Sequence, residues 1–315
     1  MPQIWHSVSK ETIQFAAILA LLFALVALFG MLIPGFLSIQ HLFDITQTAA
    51  LLGIVSIGQT LAILTGGIDL SVAAVLVLTN VLGGEFMHGE ITVLPGIFCL
   101  LIGALIGLGN GVAIGYIRIP PIVATLASMV IVTGYTYVRT GGLVKGSASP
   151  DLFAICTGSH FWIPNLTVIW LALSIFFALM MRITVIGRKI YAVGSNPLSA
   201  RSAGVNVPGV ITLTYILSSV LAGLAGFLLV GYIKNPISGF TGQAGYTLDS
   251  IGAVVIGGTM FTGARGGIEK TIIGVLIFKI LFSALVMLQV GEVGRLIITG
   301  VLLIVIPAVY NRIQR

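Results

Sequence analysis

The sequence predicts an all-α integral membrane protein of about ten transmembrane helices with both termini in the cytoplasm. Three observations predict it. Only 8% of the 315 residues are charged and 57% are hydrophobic, whereas soluble domains carry about 25% charged residues. So few charges cannot cover a water-facing surface. Apolar runs near the ~20 residues that cross about 30 Å of hydrocarbon recur from end to end, and the mean hydropathy is +1.15. The basic residues gather on one side of an alternating topology.

The first span is read at residues 13–33, ended by Pro34-Gly35. This run is longer than a signal-peptide core and lacks a clear small-residue cleavage site, so it reads as a retained helix. The second span covers residues 49–64 and the third 70–86, with Thr65-Gly66-Gly67-Ile68-Asp69 between them. The fourth covers 97–116, with Pro120-Pro121 closing the loop after it, and the fifth covers 122–137. A polar stretch at 139–164 precedes the sixth span, 166–181. The longest basic stretch, 182–208, follows. The seventh span is 210–230, the eighth 248–261, the ninth 268–288 and the tenth 296–310. The third and eighth are short and flanked by glycine. They read as candidates for broken or re-entrant helices, which membranes tolerate only when protein or a water-filled cavity surrounds them.

With both termini inside, Lys10, Arg118, Arg182, Arg188, Lys189, Arg201, Arg265, Lys270, Arg312 and Arg315 fall on the cytoplasmic side. Arg139, Lys145, Lys234 and Arg295 fall outside, and Lys279 lies within the ninth span. Ten against four satisfies the positive-inside rule. The acids Asp44, Glu85, Glu90, Asp151, Asp249 and Glu292 fall outside. The basic residues form no stripe on a soluble face, so the net charge of +6 points to the membrane and its lipid rather than to nucleic acid.

Catalytic and metal chemistry is not written in the chain. There is no His-Glu-x-x-His motif, and His6, His41, His88 and His160 are scattered. No Gly-x-Ser-x-Gly elbow is present. The stretch from Gly263 to Thr271 has glycines and a Lys-Thr pair, but Glu269 precedes Lys270 where a phosphate loop needs glycine. ATP hydrolysis, if it drives this protein, belongs to another chain, and no cofactor is expected. Cys99 and Cys156 fall in different segments and imply no disulfide framework.

Forty glycines far exceed the usual share of about 7%. Gly103, Gly107, Gly111 and Gly115 recur every four residues and strip one helix face of side chains. Close helix packing and a pore-lining face both fit that pattern.

The basic segment contains a short helix of its own. Asn196-Pro197 is an N-cap followed by proline at the first helical position, and Gly204 suits a left-handed stop. A second short helix is expected around residues 188–193. Arg182, Arg188, Lys189 and Arg201 meet no acid within the segment. Either this is an ordinary cytoplasmic loop, or it is a docking surface, because a two-turn helix needs something to pack against.

The run Gly187-Arg-Lys-Ile-Tyr-Ala-Val-Gly-Ser-Asn-Pro, with Ala200 and Ala203-Gly204-Val205, resembles the cytoplasmic loop of the permeases of ribose/xylose/arabinose/galactose-type ABC importers. So do Leu64-Thr-Gly-Gly-Ile-Asp-Leu-Ser71 and Gly245-Tyr-Thr-Leu-Asp-Ser-Ile-Gly-Ala-Val-Val-Ile-Gly-Gly258. The likeness covers residues 36–307. One departure is Thr262-Gly263-Ala264-Arg265, where a glycine pair is expected. The resemblance implies a single transmembrane permease domain over residues 1–315, with a coupling loop at 182–209, in the bacterial inner membrane. It also implies a cytoplasmic ATP-binding subunit, a second permease copy or paralogue, and a periplasmic or lipid-anchored solute-binding protein. By the same resemblance, Arg188, Gly194, Ser195, Asn196, Pro197, Arg201 and Gly204 form the ATPase-coupling set.

Polar residues inside the apolar runs are the candidates for a translocation path: Gln59, Asp69, Asn80, Asn110 and Asp249. Asp69 and Asp249 read either as helix caps or as elements of the path. Gln59, Asn80 and Asn110, with Thr60, read either as interhelical hydrogen bonds or as exchangeable partners for sugar hydroxyls. Lys279 either pairs with a carboxylate or helix terminus, or lines a cavity. The competing function is an ion-coupled secondary transporter, which also uses glycine-broken helices but needs no docking helix.

Overall fold

The computed structural model describes residues 2–87, 93–160, 162–237 and 240–313. His88, Glu90 and Arg315, counted above, lie outside the described residues. The helices in chain order are α1 (Pro2–Leu32), α2 (Ile39–Leu64), α3 (Val72–Phe86), α4 (Val93–Gly115), α5 (Pro121–Thr140), α6 (Pro150–Thr157), α7 (Asn165–Ile183), α8 (Val185–Ser195), α9 (Pro197–Ser202), α10 (Val207–Ile233), α11 (Phe240–Ile256), α12 (Ile268–Met287) and α13 (Glu292–Ile313). A minimal antiparallel ribbon, β1 (Ser159–His160) with β2 (Ile163–Pro164), interrupts them between α6 and α7. Among the described residues, α1, α2, α4, α5, α7, α10 and α12 are seven helices long and apolar enough to cross a membrane. The third helix and residues 245–256 of α11 are apolar but shorter.

Two helices make the centre. From Ala49 to Leu64 every residue of α2 is buried, and α10 packs against α2, α3 and α4. A helix apolar all round belongs in the interior of such a bundle. The α4–α10 contact explains the glycine face. A Cβ on Gly103 would lie 2.5 Å from the Ser219 carbonyl oxygen, and one on Gly107 2.5 Å from that of Tyr215. At Gly111 it would meet the Thr212 Cα at 2.5 Å, and at Gly115 the Pro208 carbonyl at 2.7 Å. Backbone lies on backbone along four turns, so the face serves helix packing. Outside this core the surface is apolar: α5 exposes Ile122, Val123, Leu126, Val130, Ile131 and Val138.

Most expected spans coincide with helices, with longer ends. Two places differ. The polar stretch 139–164 holds α6, whose start is set by Ser149 accepting from the Leu152 N–H at 3.3 Å with Pro150 behind it. The eighth span ends at Ile256 rather than at 261. Gly258 takes φ 84, and the Thr259 N–H turns back to the Val254 carbonyl.

Candidate functional site

Between α2 and α3 the helix breaks, between two apolar runs. The Gly66 N–H closes onto the Ile63 carbonyl and that of Gly67 onto Ala62, with Gly66 at φ 82. The chain then runs non-helically to Ser71, enclosed by protein as irregular backbone must be. Asp69 is fully buried there. Its Oδ1 accepts from the Ser71 N–H (3.0 Å) and the Ser71 hydroxyl (2.6 Å), and its Oδ2 accepts from the Ser218 hydroxyl on α10 (2.8 Å). Asn110 on α4 donates to the Ser71 hydroxyl oxygen at 2.9 Å. One carboxylate therefore caps the approach to α3 and ties it to α10 directly, and to α4 through Ser71. Tyr215 of α10 stands against the same turn. A Cβ on Gly67 would collide with its hydroxyl oxygen, which has no hydrogen-bond partner among the described residues.

The other path candidates lie elsewhere. Asn80 donates to the Gly226 carbonyl at 3.3 Å and accepts from the Ile237 N–H at 2.8 Å, which clips the chain after α10 to α3. Gln59 is fully buried on α2, and neither its amide nitrogen nor its oxygen has a partner among the described residues. Its neighbour Thr60 meets Thr271 of α12 at 2.8 Å. Asp249 on α11 is close enough to Lys279 on α12, and to Arg295 on α13, for their charges to interact. The cation inside the ninth span thus has a carboxylate within electrostatic range, without an ion pair between the two among the described residues. The five candidates do not converge: Asp69 and Asn110 share a network, and Asn80, Gln59 and Asp249 stand apart.

The basic segment folds as two helices. Thr184 starts α8 by accepting from the Gly187 N–H at 3.3 Å. Asn196, at φ −159, accepts from the N–H groups of Leu198 (2.9 Å) and Ser199 (3.0 Å) and starts α9, with Pro197 in the first helical position. Gly204 takes φ 80 and ends it. Arg188, Ser195, Asn196, Pro197, Arg201 and Gly204 are exposed. Gly194 differs. Its Cβ direction points inward, into the Leu64 carbonyl oxygen. Arg182, which meets no acid within its own segment, pairs with Glu269 at the start of α12 at 2.6 Å.

Two residues enter the site that sequence reasoning missed. Ser218 completes the Asp69 network, and nothing separates it in sequence from the other small polar residues of the spans. Leu198 on α9 is 79% exposed, an apolar knob on a polar surface. A leucine in the first turn of a short, capped and otherwise polar helix was the available signal.

Comparison with known proteins adds a family. Residues 41–306 match the model of the branched-chain amino acid transport system permease component. The ribose import permease protein RbsC of Escherichia coli (strain K12) is 35% identical over 300 residues, covering 93% of this chain and 92% of that protein. The fructose import permease protein FrcC of Rhizobium meliloti is 33% identical over 313 residues, covering 95% and 85%. The galactofuranose transporter permease protein YtfT of Escherichia coli (strain K12) is 36% identical over 238 residues, covering 75% and 69%. No solved structure matches the chain.

Proposed function

The chain belongs to the family of branched-chain amino acid transport system permease components, and from that premise we propose that it moves a sugar or similar small polar solute into the cytoplasm. It is the membrane-spanning permease subunit of an ATP-driven importer, a multi-pass protein of the inner membrane whose ATPase is a separate chain. The observation that carries the substrate class is the set of relatives, which are named for import of ribose, fructose and galactofuranose. The polar interior agrees with it, since the buried amide of Gln59, which has no partner among the described residues, suits hydroxyl partners.

In this reading ten helices cross the membrane, α1–α5, α7 and α10–α13, with both termini in the cytoplasm. The outward groups of α8 and α9, namely Arg188, Ser195, Asn196, Pro197, Arg201 and Gly204, receive the ATP-binding subunit. A second permease copy or paralogue completes the membrane part, and a periplasmic or lipid-anchored protein delivers the solute. The passage opens along α2 and α3. Asp69, Asn80 and Asn110 hold its walls, Asp249 with Lys279 forms a second polar station, and Gln59 is the group with unspent hydrogen bonds for a passing hydroxyl.

Proteoliposomes carrying this chain with a cognate ATPase and solute-binding protein test the reading. They should accumulate labelled pentose or hexose only with ATP inside the cytoplasmic compartment. Uptake driven by a proton or sodium gradient without ATP would replace the importer with a secondary transporter. In the same assay Gln59→Met, which keeps the volume and removes an unpartnered amide, should leave the melting temperature unchanged or raised. Its uptake should fall about tenfold, the loss of roughly one hydrogen bond to the passing solute.

A further inference from the structure

The docking helices reach the turn before Asp69 through a contact in which backbone lies on backbone. The last turn of α8 lies against the end of α2, where a Cβ on Gly194 would collide with the Leu64 carbonyl oxygen and sit 2.9 Å from the Ala264 nitrogen. That same Leu64 oxygen accepts the Ala264 N–H at 3.0 Å. On the other side, a Cβ on Gly263 would lie 2.8 Å from the Gly194 oxygen and 3.2 Å from the Gly66 nitrogen. Three segments meet here: the end of α2 with its break, the end of α8, and the turn between α11 and α12. A fourth contact ties the helix to that turn, since the Tyr191 hydroxyl donates to the Gly266 carbonyl at 3.0 Å.

The joint occupies a particular place in the chain. Two residues after Gly194 stands Asn196, which starts the exposed helix α9. Five residues after Leu64 stands Asp69, bonded to Ser218 of α10. Side chains could flex between two moving parts, but touching backbones leave nothing to absorb a displacement in an interior packed like a crystal. Packed interfaces of this kind switch between discrete arrangements rather than deform smoothly.

We infer that the junction of Gly194, Leu64 and Gly263-Ala264 is the joint through which movement of α8 and α9 is passed to the break before Asp69, with Gly194 and Tyr191 as positioning residues. The inference rests on the importer reading above. It assigns Gly194 an inward role, distinct from touching the ATPase.

The test is Tyr191→Phe, which removes the hydroxyl bonded to Gly266 and keeps the ring, beside Gly194→Ala, which forces the joint apart. Both are assayed in the reconstituted complex with ATPase and binding protein. The readout is solute moved per ATP hydrolysed, together with the amount of ATPase that co-purifies. Tyr191→Phe should bind the ATPase fully and lose about fivefold in solute moved per ATP, the worth of one hydrogen bond. Gly194→Ala should lose more wherever it assembles. A merely structural lesion lowers the yield of complex and leaves solute per ATP unchanged, so that result in Tyr191→Phe overturns the joint even if Gly194→Ala fails to assemble. A wild-type chain that binds no ATPase overturns the importer reading instead, and the co-purification arm reports it separately.

Discussion

A carboxylate held away from water needs its oxygens occupied, and at Asp69 the occupants come from its own turn and from α10. Asparagine can serve most of them. Its oxygen still accepts from Ser71, and the Ser218 hydroxyl can turn to accept from the new amide. Asp69→Asn should therefore insert and assemble with a stability loss of about 1 kcal/mol, and uptake per molecule should stay close to wild type. Asp69→Ala leaves the Ser71 and Ser218 hydroxyl protons without their acceptor at about 1–3 kcal/mol each, and expression should drop. Melting curves and uptake per inserted molecule decide it: an Asn variant that assembles fully yet loses uptake places the carboxylate in the path. Only half of this residue was legible. The spacing of Asp69 and Ser71 announces a cap, whereas Ser218 is 149 residues away and looks like any serine in an apolar helix. The carboxylate within electrostatic range of Lys279 was hidden in the same way, because Asp249 lies on another helix.

Elements with local chemistry were readable, and α9 is the clearest. Asn196, Pro197 and Gly204 fix its start and stop without reference to the rest of the chain. The same chemistry stands at Ser149-Pro150, yet α6 was missed because its apolar face is too short to mark a period. The departure at Ala264 also finds its meaning here. Gly263 and Ala264 take φ 80 and 56 in succession, a backbone that favours a glycine pair. Gly204 supplies the test at this scale. A Cβ there meets nothing within 4 Å, so bulk added at this position strains no neighbour inside the chain. Gly204→Ala should cost about 1 kcal/mol of left-handed strain and keep its uptake. Gly204→Arg should insert equally well and lose uptake about tenfold, because only a docked partner feels the added side chain. Wild-type uptake by Gly204→Arg removes Gly204 from the docking surface.

For the whole molecule the open quantity is which way it faces. Ser147 precedes α6 and Ser199 lies on α9, and both are exposed. Among the described residues between them α7 is the only long apolar helix, and its 19 residues rise about 28 Å, the thickness of the hydrocarbon. If α7 crosses, the two serines should sit on opposite sides whatever the total number of spans. Charge decides which side is which. Arg182, Arg188, Lys189 and Arg201 cluster at the α9 end. At the α6 end Arg139 is neutralised by Glu85 at 2.9 Å, and Asp151 opens α6. The positive-inside rule then puts Ser199 in the cytoplasm. The native thiols make this simple to measure, since Cys99 and Cys156 are both buried. In intact cells an impermeant maleimide should label Ser147→Cys and miss Ser199→Cys until the membrane is opened. The reverse pattern inverts the protein and moves α8 and α9 away from any ATP. Labelling of both sites from outside means that α7 does not cross, and the docking surface then loses its compartment as well as its partner.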